Sequence, residues 1–165
     1  MERVFRHFQD DLDGLKQRLL AMGGLAEERV RESVRGLMDR DSAALDAVLR
    51  GDQPINDLHI ELDDRCFKLL ALHQPMAADL RVIVAAVKIN TDLERVGDLA
   101  VNIAERALDR EGREDREGLA ELGAMGEACG AMLRGVLDAF VKQDRRGAED
   151  VLRMDDQVDD LLART

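Results

Sequence analysis

The most constraining feature of this sequence is an apolar pattern at helical spacing that covers nearly all of its first forty residues. Successive apolar positions are three or four residues apart throughout, at Val4, Phe8, Leu12, Leu15, Leu19, Met22, Ala26, Val30, Val34 and Leu37. Such steps place side chains on one face of an α-helix. The pattern therefore predicts one long helix that buries this face. We expect Gly23 and Gly24, which fall inside the pattern, to bend the helix without ending it.

The composition favours helices over sheets along the whole chain. Aromatic residues make up only 2% of the 165 residues, and Trp and Tyr are absent. Ala, Leu, Arg and Glu are good helix formers, whereas sheets are rich in aromatic and β-branched residues. The length is sufficient for one compact unit with a core. The sequence therefore predicts an all-α protein.

A second helical segment follows the first. Residues 39–42 interrupt the apolar pattern, and either Asp41 or Ser42 has a side chain that can cap the next helix. Residues 51–54 then kink or interrupt this segment. The apolar stripe resumes after them, at Ile55, Leu58, Leu62, Cys66, Leu69 and Leu70. We therefore expect a helical segment with a break near Pro54.

A third helix is predicted from about Met76 to Leu108 or Asp109, before the charged residues 110–116. Pro75 suits its first position, because proline lacks the N–H that a helix start leaves unpaired. Gly97 costs about 1 kcal/mol relative to Ala inside a helix, which indicates a close approach of another helix. Three long helices with short links predict an antiparallel bundle over residues 1–110.

Residues 117–165 repeat the beginning of this bundle. Leu119 to Val141 and Ala148 to Leu162 are predicted as a fourth and a fifth helix. Setting Asp144 over Asp41 also aligns residues 151–153 with the identical tripeptide at 48–50. The predicted fold class is all-α: an antiparallel three-helix bundle followed by the first two helices of a second, incomplete bundle. We expect this last pair to lack a third partner and to expose an apolar face.

Charge and hydropathy restrict the partners and the location. The formal net charge of −11 disfavours nucleic acid and anionic membranes, which are bound mainly through clustered Lys and Arg. The amino terminus is charged where a signal peptide needs an apolar core, and the apolar run 82–87 is too short to span a bilayer. We therefore expect a soluble cytoplasmic protein without direct membrane insertion.

The two cysteines, Cys66 and Cys129, stand in helix-like segments without CxxC spacing. A reducing compartment is the default for such usage. Their helical core spacing predicts that both are buried as small apolar residues.

Four oxygen-bearing side chains follow one another on the third helix at spacings of four, four and three. These are Glu94, Asp98, Asn102 and Glu105, and we call them the acidic row. They fall within an arc of roughly 80°. The apolar stripe of the same helix is predicted to centre on the far side, at Val82, Ala86, Ile89, Leu93, Val96, Ala100 and Ile103. The acidic row is therefore expected to face water.

Carboxylate and amide oxygens suit Mg²⁺, Ca²⁺ or Mn²⁺, and also iron or zinc when other ligands help. One helix alone cannot complete a coordination sphere. The alternative is a merely solvated surface, because rows of Asp and Glu are common on acidic helices. The spacing by itself leaves both interpretations open.

Two segments of the sequence favour the metal-site interpretation over the solvated surface, because they resemble segments of a known family. Residues 74–81 read Gln-Pro-Met-Ala-Ala-Asp-Leu-Arg, and residues 92–105 read Asp-Leu-Glu-Arg-Val-Gly-Asp-Leu-Ala-Val-Asn-Ile-Ala-Glu. Together they resemble the paired signature of the PhoU family of phosphate-uptake regulators. The resemblance extends over essentially the whole chain, including the repeat.

The resemblance implies a homo-oligomeric regulator, expected as a dimer, that couples the ATPase subunit of a phosphate ABC transporter to a sensor histidine kinase. The family's metal motif maps to Glu94 and Asp98, and Asn102 and Glu105 lie in the same segment. Members usually carry two such motifs and bind iron or zinc clusters or other divalent ions. This chain ends before the second motif, and the metal is expected to be iron, zinc, manganese or magnesium.

Three functional hypotheses follow. The leading one is a non-enzymatic, metal-binding regulator, because no nucleophile, base and orienting residue occur together in the sequence. A carboxylate-bundle metalloenzyme needs ligands that face inward from several helices, whereas this row is expected to face outward. The third hypothesis is a metal-independent helical dimerisation or scaffold module.

Overall fold

A computed structural model describes residues 2–51, 53–109 and 118–164, with side chains from residue 7 onward. The described residues form six α-helices and no strand, which confirms the predicted fold class. The helices are α1 (Glu2–Asp39), α2 (Ser42–Arg50), α3 (Gln53–His73), α4 (Ala78–Asp109), α5 (Leu119–Lys142) and α6 (Arg145–Leu162). The charged stretch predicted as a linker, residues 110–116, lies outside the described residues.

Helix α1 is the element on which the other helices assemble. It runs unbroken through Gly23 and Gly24, as predicted. Its apolar face is buried, and Leu15, Leu19, Met22 and Ala26 have no exposed surface. Helices α2, α3, α4 and α5 all pack against it. Burial of this one face therefore links both halves of the chain.

The break after α1 is fixed by a side-chain cap. Arg40 takes a left-handed conformation with a φ of 54°, and the Asp41 carboxylate accepts a hydrogen bond of 3.0 Å from the Ala44 N–H. Of the two predicted capping residues, Asp41 is therefore the one used. The buried Arg29 of α1 donates a hydrogen bond of 2.7 Å to the Val48 carbonyl, and this contact fastens α2 to α1.

The start of α4 corrects one prediction. The helix begins at Ala78, so Pro75 lies in the connection before it and is not its first residue. Gln74 and Ala77 both have a left-handed φ, at 47° and 49°. These two residues reverse the chain so that α4 runs back along α3, and the helix can form only after the reversal. Asp79 does lie in the first turn, where a negative charge is favourable.

The buried face of α4 also differs from the predicted one. The residues it buries are Ile83, Ala86, Asn90, Leu93, Gly97, Ala100 and Ala104. Four members of the predicted stripe are only half-buried, namely Val82, Ile89, Val96 and Ile103. The real face is turned by roughly 60° from the predicted stripe. The turn brings polar Asn90 and small Gly97 into the core. The apolar periodicity of the sequence does not predict that these two residues are buried.

Two contacts between α3 and α4 explain this rotation. The Asn90 Nδ2 group donates to the His59 carbonyl oxygen and to Asp63 Oδ1, each at 2.9 Å. Gly97 lies against Ile55, and a Cβ atom added there would be 3.0 Å from the Ile55 Cδ1 atom. The predicted close helix approach at Gly97 is therefore confirmed.

The last two helices pair with each other and dock on α1 through α5. Gly126 of α5 lies over Val34 of α1, and Arg134 forms an ion pair with Glu27. The prediction that this pair lacks a third partner is therefore wrong for α5. Asp144, which the repeat aligns with Asp41, also caps a helix, because its side chain accepts a hydrogen bond of 3.0 Å from the Arg146 N–H at the start of α6.

Helix α6 has an apolar face that is half covered, since Val151, Met154, Val158 and Leu161 are half-buried. It packs mainly on α5 and buries none of its residues. Leu152 is 73% exposed and Leu162 is 60% exposed. The division of the chain into residues 1–110 and 117–165 stays a prediction, since α5 lies directly on α1. No described helix combines the length and the apolarity needed to cross a bilayer.

The docking of α5 on α1 can be tested with two helical glycines. Gly126→Leu should lower the free energy of unfolding by about 1–3 kcal/mol, because its side chain enters space held by Val34. Gly24→Leu is the control, because a Cβ there meets no atom within 4 Å. It should raise the stability by up to about 1 kcal/mol through helix propensity. Urea unfolding measures the free energy of unfolding of both variants. Equal changes in the two variants would contradict the docking of α5 on α1.

The polar contact between α3 and α4 gives a second prediction. Asn90→Ala should cost about 1–3 kcal/mol, because it removes the donor to the His59 carbonyl and to Asp63. Asn102→Ala, on the same helix but exposed, should change the stability by no more than about 0.5 kcal/mol. Thermal or urea unfolding measures the stability of both variants. If Asn90→Ala is as stable as the unchanged chain, the contact does not stabilise the bundle.

Candidate functional site on helix α4

The acidic row lies in the second half of α4 and is open to water, as predicted. Asp98, Asn102 and Glu105 are exposed and Glu94 is half-buried. Because the buried face of α4 is turned toward α3, the row does not lie opposite the core. It borders the groove between α3 and α4 instead. Glu94 follows buried Asn90 by four residues, which is about one helical turn.

The position of the row depends on the core beneath it. Leu93, Gly97 and Ala100 alternate with the row along the helix and are buried against the neighbouring helices. The sequence places apolar or small residues at these positions and oxygen-bearing residues one or two positions away. This spacing fits the observed orientation of α4, and the contacts of Asn90 and Gly97 with α3 select it.

Sequence reasoning missed the polar contacts at the edge of this site. Asn90 is fully buried, and Asp63 links it to His59, whose Nε2 atom lies 3.8 Å from Asp63 Oδ2. Among the described side chains, His59 Nδ1 and Asn90 Oδ1 are buried without a hydrogen-bond partner. The available signal was Asn90 itself, since it stands four residues after buried Ala86, at a core position of the helix.

The oxygen donors of the acidic row are fewer and less convergent than a metal ion needs. Within residues 2–51, 53–109 and 118–164, no three His, Cys, Asp or Glu side chains are grouped so that they could hold a metal ion. Glu94, Asp98 and Glu105 all project from one helix, and a coordination sphere needs ligands from more than one direction. The described residues therefore do not fit a complete metal centre. The metal site stays a prediction.

The cysteines do not add a reactive group to this surface. Cys66 is buried in the core, as predicted, and desolvation, followed by nearby Asp63, raises the pKa of its thiol to about 11. The prediction of burial is wrong for Cys129, which is exposed on α5. Partial desolvation and then Asp155 raise the pKa of this thiol as well. A raised pKa keeps both sulfurs protonated, which is the opposite of what a nucleophile or a thiolate ligand requires.

Comparison with known proteins identifies the family. The family model described as PhoU domain matches residues 19–107 and 122–164. The second range begins 103 residues after the first, and Asp144 follows Asp41 by the same offset. The matched ranges thus start at equivalent points of the internal repeat.

One curated relative is the phosphate-specific transport system accessory protein PhoU of Serratia marcescens. It is 33% identical over 158 residues, which are 96% of this chain and 65% of the relative. The chain therefore spans just under two thirds of that relative's length.

Two solved structures share the fold. The crystal structure of PhoU from Pseudomonas aeruginosa has a TM-score of 0.87 at 38% identity, covering 93% of this chain and 74% of that one. The phosphate transport system regulatory protein PhoU from Streptococcus pneumoniae has a TM-score of 0.84 at 29% identity, covering 93% and 72%. With its two repeat copies matched to the family model and its helices matched to these structures, the chain belongs to the PhoU family.

Proposed function

We propose that this chain regulates phosphate uptake and phosphate-starvation signalling as an accessory protein of a phosphate transporter. The observation that carries the proposal is the match of both repeat copies to the PhoU domain. The relative from Serratia marcescens is named as a transport-system accessory protein, which supports a role beside a transporter. The chain then acts by binding other proteins and not by catalysis.

The proposed partners are the ATPase subunit of a phosphate ABC transporter and a sensor histidine kinase, with the chain as the adaptor between them in the cytoplasm. The names of the relatives support the transporter as a partner. The kinase is proposed from the family resemblance of residues 74–81 and 92–105. The net charge of −11 supports protein partners over nucleic acid, because phosphate groups would be repelled. We further propose that the working form is a homo-oligomer, as the family resemblance implies.

For the metal, we propose that Glu94 and Asp98 supply two ligands, with Asn102 and Glu105 beside them. Iron, zinc, manganese and magnesium are the candidates. The alternative is a helical dimerisation or scaffold module that binds no metal. A metalloenzyme is less well supported, because the acidic row faces water and not an enclosed interior.

The regulatory role is tested in a bacterium that carries this chain and its phosphate transporter. Deleting the gene should leave a phosphate-starvation reporter active in phosphate-replete medium, and supplying the chain should restore repression. The purified chain should bind the purified ATPase subunit and the cytoplasmic part of the kinase in surface plasmon resonance. An unchanged reporter together with no binding to either protein would refute the role.

The metal proposal is tested by calorimetric titration of the purified chain with Mn²⁺, Zn²⁺ and, without oxygen, Fe²⁺. Glu94→Ala/Asp98→Ala should weaken binding by about tenfold or more, because it removes both proposed ligands. Asp156→Ala/Asp160→Ala is the matched control, since it removes two exposed carboxylates at the same spacing on α6. If both double variants lose the same affinity, the acidic row is an ordinary solvated surface and the scaffold alternative stands.

A further inference from the structure

One face of α4 changes from apolar to acidic along its length. Steps of three and four residues from Leu80 pass through Leu80, Val84, Val87, Thr91, Glu94, Asp98, Asn102 and Glu105. At 3.6 residues per turn these positions stay within roughly 80° of one another over about 38 Å. We call this face the α4 stripe. Its first half, from Leu80 to Val87, is apolar, and its second half is the acidic row.

The apolar half of the α4 stripe is only partly covered in the described fold, because Val87 packs against the core whereas Leu80 and Val84 do not. Leu80 is 40% exposed and Val84 is 45% exposed. On the adjacent helix α3, Ile60 and Phe67 are 67% and 66% exposed. These four side chains belong to a region, residues 60–84, that contains most of the large exposed hydrophobics of the first four helices. Clustered apolar exposure of this kind marks an interaction surface.

The register between α3 and α4 places Ile60 and Phe67 beside the α4 stripe. Asp63 meets Asn90, and Ile55 meets Gly97, so the two helices run antiparallel. By helical geometry Ile60 and Phe67 lie just beyond Asp63 on the outer side of α3. The α4 stripe lies just beyond Asn90 on the outer side of α4. The outside of the α3–α4 pair is therefore a groove with apolar residues on both walls.

Charge distinguishes the two ends of this groove. Toward the carboxyl end of α4, Glu94, Asp98 and Glu105 make the groove negative. The four basic residues of α4 occupy the next face of the helix, on the side away from α3; they are Arg81, Lys88, Arg95 and Arg106. Arg95 and Arg106 lie about one turn from Asp98 and Asn102, respectively.

By the register of α3 and α4, Phe67 lies at the level of Val84 and Val87. By the same register, Ile60 lies at the level of Glu94. A molecule in the groove therefore meets apolar surface at one end, and carboxylates beside Ile60 at the other.

A second copy of the chain is poorly matched to this surface. Antiparallel pairing of two α4 stripes would bury the carboxylates of each against the apolar half of the other. Parallel pairing would place carboxylates against carboxylates. Both arrangements cost free energy, because charges lose water without gaining an opposite charge. The complementary occupant is apolar in one half and basic in the other.

We propose that the α4 stripe, together with Ile60 and Phe67, is a docking site for an amphipathic helix of a partner protein. The partner helix places aliphatic side chains along Leu80 to Val87 and Lys or Arg side chains along the acidic row, where it competes with any metal ion held by Glu94 and Asp98. A groove of helical length suits this recognition mode, in which anchors recur at three- and four-residue steps. The inference rests on the proposed function, because the helix would belong to a protein through which the chain regulates phosphate uptake.

The probe for this site is a synthetic, fluorescently labelled helical peptide of about seven turns. One face carries Leu in one half and Lys in the other, with Ala and Gln elsewhere. A control peptide of the same composition alternates Leu and Lys along that face. In fluorescence anisotropy the first peptide should bind the intact chain about tenfold tighter or more. Equal binding of the two peptides would overturn the proposal.

Two double variants locate the binding. Leu80→Asp/Val84→Asp removes the apolar anchors, and Glu94→Lys/Asp98→Lys reverses the charge. Each should weaken binding of the first peptide by about tenfold or more. The control variants make the same kinds of change at exposed positions of α6, and they are Leu152→Asp and Asp156→Lys/Asp160→Lys. They should leave the affinity for the first peptide unchanged. Circular dichroism shows that each variant is folded, and equal losses on both helices would overturn the site.

Two further outcomes separate this inference from the proposed function. If gel filtration shows a dimer that Leu80→Asp/Val84→Asp dissociates, the occupant is a second copy and the inference is wrong. If the same variant binds the transporter ATPase and the kinase as tightly as the unchanged chain, the α4 stripe is not the docking site, although the regulatory role stands. Loss of binding to one of these proteins, in parallel with loss of peptide binding, supports the inference.

Discussion

The fold depends on the burial of one apolar face of α1. Leu15, Leu19 and Met22 have no exposed surface, and a fully buried Leu or Met contributes about 1.5–3 kcal/mol relative to an exposed one. Helices α3 and α4 cover this face on one side, and α5 extends the same core through Leu137. The second half of the chain therefore packs on α1, the same helix on which the first half assembles.

Polar and small residues then decide how the helices are rotated. Asn90 at the α3–α4 contact needs hydrogen-bond acceptors because it is fully buried, and Asp63 and the His59 carbonyl supply them. Gly97 allows Ile55 to approach. Together these contacts turn α4 so that the acidic row borders the α3–α4 groove. The chemistry available at the surface thus follows from contacts in the core.

The surface that results is suited to recognition. The acidic row is solvated and projects from a single helix, which is a poor arrangement for enclosing a substrate. Leu80 and Val84 of the α4 stripe and Ile60 and Phe67 of α3 remain exposed, as do Leu152 and Leu162 of α6. Such long helical faces suit a regulator that works by binding other proteins, in keeping with membership of the PhoU family.

The sequence by itself determined the helical class, the unbroken α1, a cap at Asp41 or Ser42, the repeat and the common face of the acidic row. Each of these depends on local spacing or on a local hydrogen bond, which can be read along the chain. Tertiary structure decided the start of α4, the rotation of its buried face, the exposure of Cys129 and the contact of α5 with α1. These depend on which helices meet and in what register. Periodicity shows that a helix has an apolar face, but only its neighbours determine which part of that face and which polar residue are buried.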